Sequence, residues 1–321
     1  MFLILILKIN GLQRFRLDVP MSKSTKWFLI IFGILAVVGI GFVLLIYGFM
    51  KSAGERTEVV TTGYGSKIAV VELKGVIVSS EDIVRQIKKY RENSSIKGIL
   101  LRVDSPGGGV VASQEIYEEV KKTRDSGKPI VVSMGALAAS GGYYVSCGAS
   151  RLVANRGTLT GSIGVISEFL QLKEALDKLG VGFKTIKSGK LKDAGSSSRK
   201  MTEEDERYFQ QLMDDVHRQF IAVVENERHL EHDLVVKIAD GRVLTGEQAV
   251  EAGLVDTLGT YEDAVNITAE IAGISGEPSI VKERRRRSFW DGIVGDVEES
   301  LTDLKQELLE KPALSFRFVG P

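Results

Sequence analysis

The chain has 321 residues, 44% of them hydrophobic and 26% charged, enough for one large globular domain or two small ones. Lysine plus arginine balances aspartate plus glutamate at 42 each, so no overall field favours a polyanion such as nucleic acid. A single cysteine, Cys147, excludes an internal disulfide and a zinc site built from several cysteines.

The opening stretch MFLILILKINGLQRFRLDVP carries an apolar run too short to span a bilayer. Met21 begins the polar lead MSKSTKWF and is the expected start of translation, with residues 1–20 an artefact; an intact mass decides between Met1 and Met21. Residues 27–50 contain no charged side chain over 24 positions, which predicts one transmembrane helix with Trp27 and Tyr47 at the interfaces. A cleaved signal peptide fits less well, because the run exceeds the usual ~7–15 apolar residues. Lys23 and Lys26 precede the span, with Arg14 and Arg16 further out; only Lys51 and Arg56 follow closely. That bias places residues 1–26 in the cytoplasm and the rest of the chain outside.

Residues 51–66 are polar and read as a linker. From there to 280 strands and helices alternate. A strand pair or one long bent strand is expected over 67–78, and a helix over 80–93 with Ile83, Ile87 and Tyr90 on one face. A strand follows at 96–104, a helix at 113–125 and a strand at 128–135. Beyond them come a short strand near 151–154, a helix at 168–179 and a strand at 181–187. Residues 202–272 read as mostly helical. The alternation implies parallel strands joined by right-handed crossovers, an α/β fold. Residues 281–321 form a separate tail: a basic block at 283–287, an amphipathic helix from Trp290 to Leu308, and a mobile end, KPALSFRFVGP.

Two glycine-rich segments carry candidate chemistry. RVDSPGGGV (102–110) turns the chain at the carboxyl end of a strand, where open α/β sheets bind ligands. It lacks the lysine and hydroxyl of a phosphate-binding loop. GALAASGGYYVS (135–146) places Ser140 just after a strand, at the start of a glycine-rich helix. Ser140 is either a small residue permitting close packing or a nucleophile helped by the helix N-terminus and the Gly141 N–H. The histidines, His217, His229 and His232, all lie in the charged helical stretch. His229 and His232 share an expected helix face with Glu225, read as solvated rather than metal-binding. A lysine base is the other route to an activated serine, and Lys187, Lys190, Lys192 and Lys200 follow a predicted strand with nothing in their spacing to choose among them.

DSPGGG, AASGGYYVS, TLTGSIGV and IKSGKLKD occur in an order and spacing that resembles the signal peptide peptidase A family, and ADGRVLTGEQAVEAGLVDTLG (239–259) is similar to it as well. The similarity covers roughly 67–272. It implies a membrane-anchored bacterial serine peptidase with a ClpP/crotonase-like spiral of βα units after one transmembrane helix. By motif, Ser140 is the implied nucleophile, Lys192 the general base, Ser162 the hydroxyl that orients the lysine, and Gly107 and Gly141 the oxyanion donors. No metal or cofactor is implied. The implied substrates are signal-peptide remnants and other membrane-associated peptides. The implied assembly is a homo-oligomer with sites shared between subunits, on the outer or periplasmic side of the bacterial inner membrane. One departure is visible: the family usually reads serine-proline after the lysine, where this chain has SSSR at 196–199. The rival readings are a related peptidase with one specific membrane-protein substrate, and a noncatalytic membrane scaffold of the same fold.

Overall fold

A computed structural model describes residues 24, 27, 30–41, 56–61, 65–285 and 315–318. The chain divides into two units, Met1–Glu55 with Arg286–Ser288, and Arg56–Arg285 with Phe289–Pro321. In the first unit, residues 30–41 are helical with exposed, mostly apolar side chains. Among the described residues no helix is long and apolar enough to cross a membrane. The expected span at 27–50 is only partly described, and the expected amphipathic helix after Trp290 lies outside the described residues.

The second unit is built on one twisted sheet. β2 (Lys67–Lys74), β3 (Ile96–Ser105), β5 (Ile130–Ala139), β6 (Arg151–Ala154) and β9 (Thr257–Leu258) run parallel in that spatial order. β10 (Ser279–Arg285) pairs parallel to β2 on its other side, and β1 (Arg56–Thr61) closes that edge antiparallel to β10. The central runs are continuously apolar because both faces are covered. The period of two is plain in β2: Ile68 and Val70 enter one core, Ala69 and Val71 the other.

α1 (Glu81–Glu92) covers one face with Ile83, Ile87 and Tyr90, the three residues its spacing predicts. α2 (Val110–Asp125) adds Ile116, Tyr117 and Val120 to the same core. The opposite face is covered by α8 (Tyr261–Ile271), whose Ala264, Val265 and Ala269 pack on Ile68, Val70, Leu100 and Val131. Between them in sequence lie α3 (Gly141–Cys147), α4 (Lys173–Lys178), α5 (Glu203–Arg228), α6 (His232–Ile238) and α7 (Gly246–Glu251).

Several expectations are corrected. The strand expected at 181–187 does not form; Val181, Phe183 and Ile186 stand exposed, and no strand among the described residues pairs with them. The helix expected at 168–179 shrinks to α4. The linker contains β1, whose RTEVVT run is β-branched enough to add to an open edge. The supposedly mobile end holds β11 (Ser315–Arg317), and β10 extends into the expected tail. His229 is not on a helix face with Glu225: it ends α5 in the left-handed region at φ 53°, and His232 starts α6.

Candidate active site

The carboxyl ends of β3 and β5 meet at the glycine segments. β3 stops at Ser105, and Pro106 leads into β4 (Gly107–Gly109). The Ser105 hydroxyl donates to the Gly75 carbonyl at 2.6 Å and accepts the Gly107 N–H at 3.0 Å, so one side chain fixes the turn from both sides. Gly107 has φ 93°, and a Cβ there would lie 2.0 Å from the Phe316 carbonyl oxygen and 2.5 Å from the Gly141 nitrogen. Only glycine permits that approach. The Gly107 N–H, implied as an oxyanion donor, is therefore held by Ser105; the next amide, Gly108, lies 3.1 Å from the Cβ position of Gly141.

The turn is also stitched to Ile77, whose N–H donates to the Gly107 carbonyl at 2.8 Å and whose carbonyl accepts from Gly109 at 2.7 Å. A Cβ on Gly108 would fall 2.1 Å from that carbonyl oxygen. Gly108→Ala is therefore expected to lower stability by about 1–3 kcal/mol, the usual range for overpacking. The midpoint of urea unfolding measures it; an unchanged midpoint contradicts the packing described.

Ser140 follows β5 and precedes α3. It is 1% exposed and sits at φ 55°, ψ −115°, a strained region for a residue with a Cβ. Its N–H donates to the Gly161 carbonyl at 2.8 Å, and its carbonyl accepts from Tyr144 at 2.8 Å. β7 (Leu159–Gly161) runs parallel to β5 with Gly161 opposite Ala139. Ser140 and Ser162 are thus the next residues beyond one register pair, and Ser162 is also at positive φ, 52°. Ser162 is pinned by its N–H to the Arg242 carbonyl at 2.8 Å, just before β8 (Val243–Thr245), which pairs antiparallel with β7. Each serine thus holds a strained backbone conformation that its backbone bonds keep in place, a kind of strain that clusters at functional sites.

The tyrosines after the serine are packing residues. Tyr143 is fully buried and donates to the Leu254 carbonyl at 2.9 Å. Cys147 is 1% exposed, and burial pushes its thiol up to about 12. It is expected to resist iodoacetamide in the native protein and react once urea is added; rapid native labelling contradicts that burial.

A segment of the chain itself lies along the glycine turn. β11 pairs antiparallel with β4, Phe316 opposite Gly108 and Arg317 opposite Gly107. The Phe318 N–H donates to the Pro106 carbonyl at 2.7 Å, and Ser315 exchanges backbone bonds with Ile166 on the other side at 3.1 and 3.2 Å. Phe316 is fully buried, stacked on Tyr144 at 5.1 Å and against Phe220 at 4.8 Å. Sequence reasoning missed this strand; the alternation in SFRF is its only local signal.

Lys192 is exposed, in a turn where its N–H donates to the Gly189 carbonyl at 3.2 Å. Among the described residues no hydrogen bond or ion pair joins it to Ser140 or Ser162. The structure therefore brings together Ser140, Gly141, Ser162 and the Gly107 turn within one chain, and among the described residues no bond joins Lys192 to them. The four candidate lysines differ in one respect. Lys187 pairs with Asp193 at 2.5 Å, Lys190 with Glu204 at 2.5 Å and Lys200 with Glu174 at 3.1 Å. Lys192 has no carboxylate partner among the described residues. No group of three or more histidine, cysteine, aspartate or glutamate side chains that could hold a metal is found among them.

A parallel sheet with helices on both faces, and a glycine turn beside a buried serine at its strand ends, form an α/β ClpP-like fold. A model described as Clp protease matches residues 76–162, and one described as peptidase family S49 matches residues 122–275. The chain is 37% identical over 278 residues to a candidate protease of Methanocaldococcus jannaschii, covering 82% of this chain and 86% of that one. It is 44% identical over 214 residues to a candidate protease of Synechocystis, covering 66% and 77%. A candidate signal peptide peptidase of Enterococcus faecium is 42% identical over 235 residues, covering 69% and 68%. The chain belongs to peptidase family S49, and the resemblance read from its motifs holds.

Proposed function

We propose that the chain is a membrane-anchored serine endopeptidase in which Ser140 attacks the peptide carbonyl and neutral Lys192 takes its proton. The observation that carries this is the buried, strained Ser140 beside a glycine turn on which an extended strand is already paired. Ser162, the residue after the Gly161 whose carbonyl accepts the Ser140 N–H, orients the lysine amine. Gly141 N–H and an amide of the glycine turn stabilise the oxyanion; the Ser105 bond to the Gly107 N–H favours Gly108 as the turn's donor. One such donor is typically worth about 3–4 kcal/mol. The lysine then protonates the leaving amine and activates water to release the acyl group.

The base comes from a neighbouring copy. Lys192 is exposed and unbonded to Ser140 within one chain among the described residues, and the segment that carries it shows Leu179, Phe183 and Ile186 at 75%, 66% and 89% exposure. Large apolar side chains left bare on one stretch suit burial against another subunit. The uncharged run at 27–50 is the anchor, with the catalytic unit outside the cytoplasm. The Enterococcus relative's name points to signal-peptide remnants as substrates.

A fluorophosphonate reporter tests the nucleophile. It should label Ser140, seen as a mass adduct on the peptide containing it, and not label the Ser140→Ala chain. Casein cleavage that persists in Ser140→Ala, or an adduct on another serine, overturns the reading.

A further inference from the structure

The turn that carries Lys192 is held by a chain of ion pairs. Arg199 stands at the end of the SSSR segment, where the family's usual serine-proline is missing. Its Nη2 donates to Asp193 Oδ1 at 3.0 Å and to Asp205 Oδ1 at 3.1 Å; its Nη1 donates to Asp205 Oδ2 at 2.5 Å. Asp193 is the residue next to Lys192, and it also accepts from Lys187 at 2.5 Å. Asp205 is 2% exposed and is the N3 residue of α5, where it closes a capping box with Thr202. Arg199 thus ties the lysine turn to the first turn of a 26-residue helix.

The charges agree with the geometry. Arg199 and then Lys187 hold Asp193 down to about 2, and Arg199 with the Thr202 N–H holds Asp205 well below the usual carboxylate range. A planar guanidinium can bridge two carboxylates at once, which an ammonium cannot do with the same geometry. The carboxylate beside Lys192 is consequently occupied from two sides.

We propose that Arg199 is a positioning residue: it fastens the Lys192 turn to the start of α5 through Asp193 and Asp205, and keeps Asp193 occupied so that the neighbouring amine stays unpaired. This rests on Lys192 being the base. An amine that must reach a hydroxyl of another subunit needs its turn held in one place before the subunits meet. The serines at 196–198 replace the stiffness of a proline with hydrogen bonds, Ser196 Oγ to Ser198 Oγ at 3.0 Å and the Ser197 carbonyl accepting the Leu172 N–H at 2.8 Å. Arg199 supplies the remaining constraint.

The test uses the full-length protein in detergent, with kcat and KM measured on a chromogenic apolar peptide ester and folding checked by circular dichroism. Arg199→Ala is expected to lower kcat by about ten- to a hundredfold, the scale of a misplaced catalytic group, with KM within about twofold. Asp193→Asn breaks the same tie from its other end and should also lower kcat selectively. Arg199→Lys should recover part of the lost kcat through one of the two carboxylates. Parent-like kcat in both Arg199→Ala and Asp193→Asn overturns the proposal, as does a loss shared equally by kcat and KM that Arg199→Lys does not repair. Should Arg199→Ala fail to fold, Asp193→Asn alone decides. Lys192→Ala is run beside them: if it keeps parent kcat, the lysine assignment fails, a result distinct from failure of the clamp.

Discussion

Ser140→Ala and Lys192→Ala are each expected to cut kcat on a peptide or ester substrate by at least about 10⁴-fold, because a nucleophile and its base act as one unit. An equal mixture of the two inactive chains, dissociated and reassembled together, should then regain activity. Each site would draw its serine from one copy and its lysine from the next, so random assembly leaves roughly a quarter of sites with both intact. Ser140 is buried and held by backbone bonds on both sides, so alanine there removes an oxygen and little else. Lys192 is exposed and unpaired among the described residues, so its replacement should leave the unfolding midpoint unchanged. Loss of activity without loss of stability is the signature of chemistry rather than structure. A mixture that stays inactive, with the assembled particle intact, places serine and lysine in the same copy and requires the lysine turn to move. A Lys192→Ala chain that retains its rate removes the dyad altogether.

How legible the molecule was depends on whether a feature is local. The apolar runs of β3 and β5 and the Ile83, Ile87, Tyr90 stripe of α1 are set by burial within a few residues, and they were read correctly. Ser140, Gly141 and Ser162 come together because Ala139 and Gly161 are register partners on neighbouring strands, so motifs adjacent in sequence become adjacent in space. The failures share a cause. Val181, Phe183 and Ile186 have strand-like composition, yet a strand needs a partner, and the described residues offer none. β10 and β11 sit on strands some two hundred residues away in sequence, a pairing no local pattern encodes. The role of Ser105 within DSPGGG is not legible locally, because its hydroxyl reaches Gly75, thirty residues back, as well as the Gly107 N–H. Arg199 is equally illegible, because a guanidinium's choice of Asp193 and Asp205 depends on how the turn folds.

Removing the last seven residues, Ser315–Pro321, is expected to raise the peptidase rate. β11 lies along the glycine turn where an extended substrate would pair, bonded through Pro106 on one side and Ile166 on the other. Phe316 is fully buried against the rings of Tyr144 and Phe220. A segment tethered to its own site competes at an effective concentration that can reach the millimolar range. Substrate at about 0.1 mM would then meet a site occupied most of the time, and truncation should lower the apparent KM about tenfold while leaving kcat within about twofold. Phe316→Asp should act the same way, because a carboxylate in an apolar aromatic pocket has no compensating partner. The alternative is that β11 is a structural strand. Loss of a buried phenylalanine would then cost about 3–5 kcal/mol of stability, and both variants would unfold early and lose activity together. Urea midpoints and KM measured on the same two proteins separate the cases. A lower KM at an unchanged midpoint identifies β11 as a displaceable occupant of the substrate groove, whereas a fallen midpoint with no gain in rate makes it part of the fold.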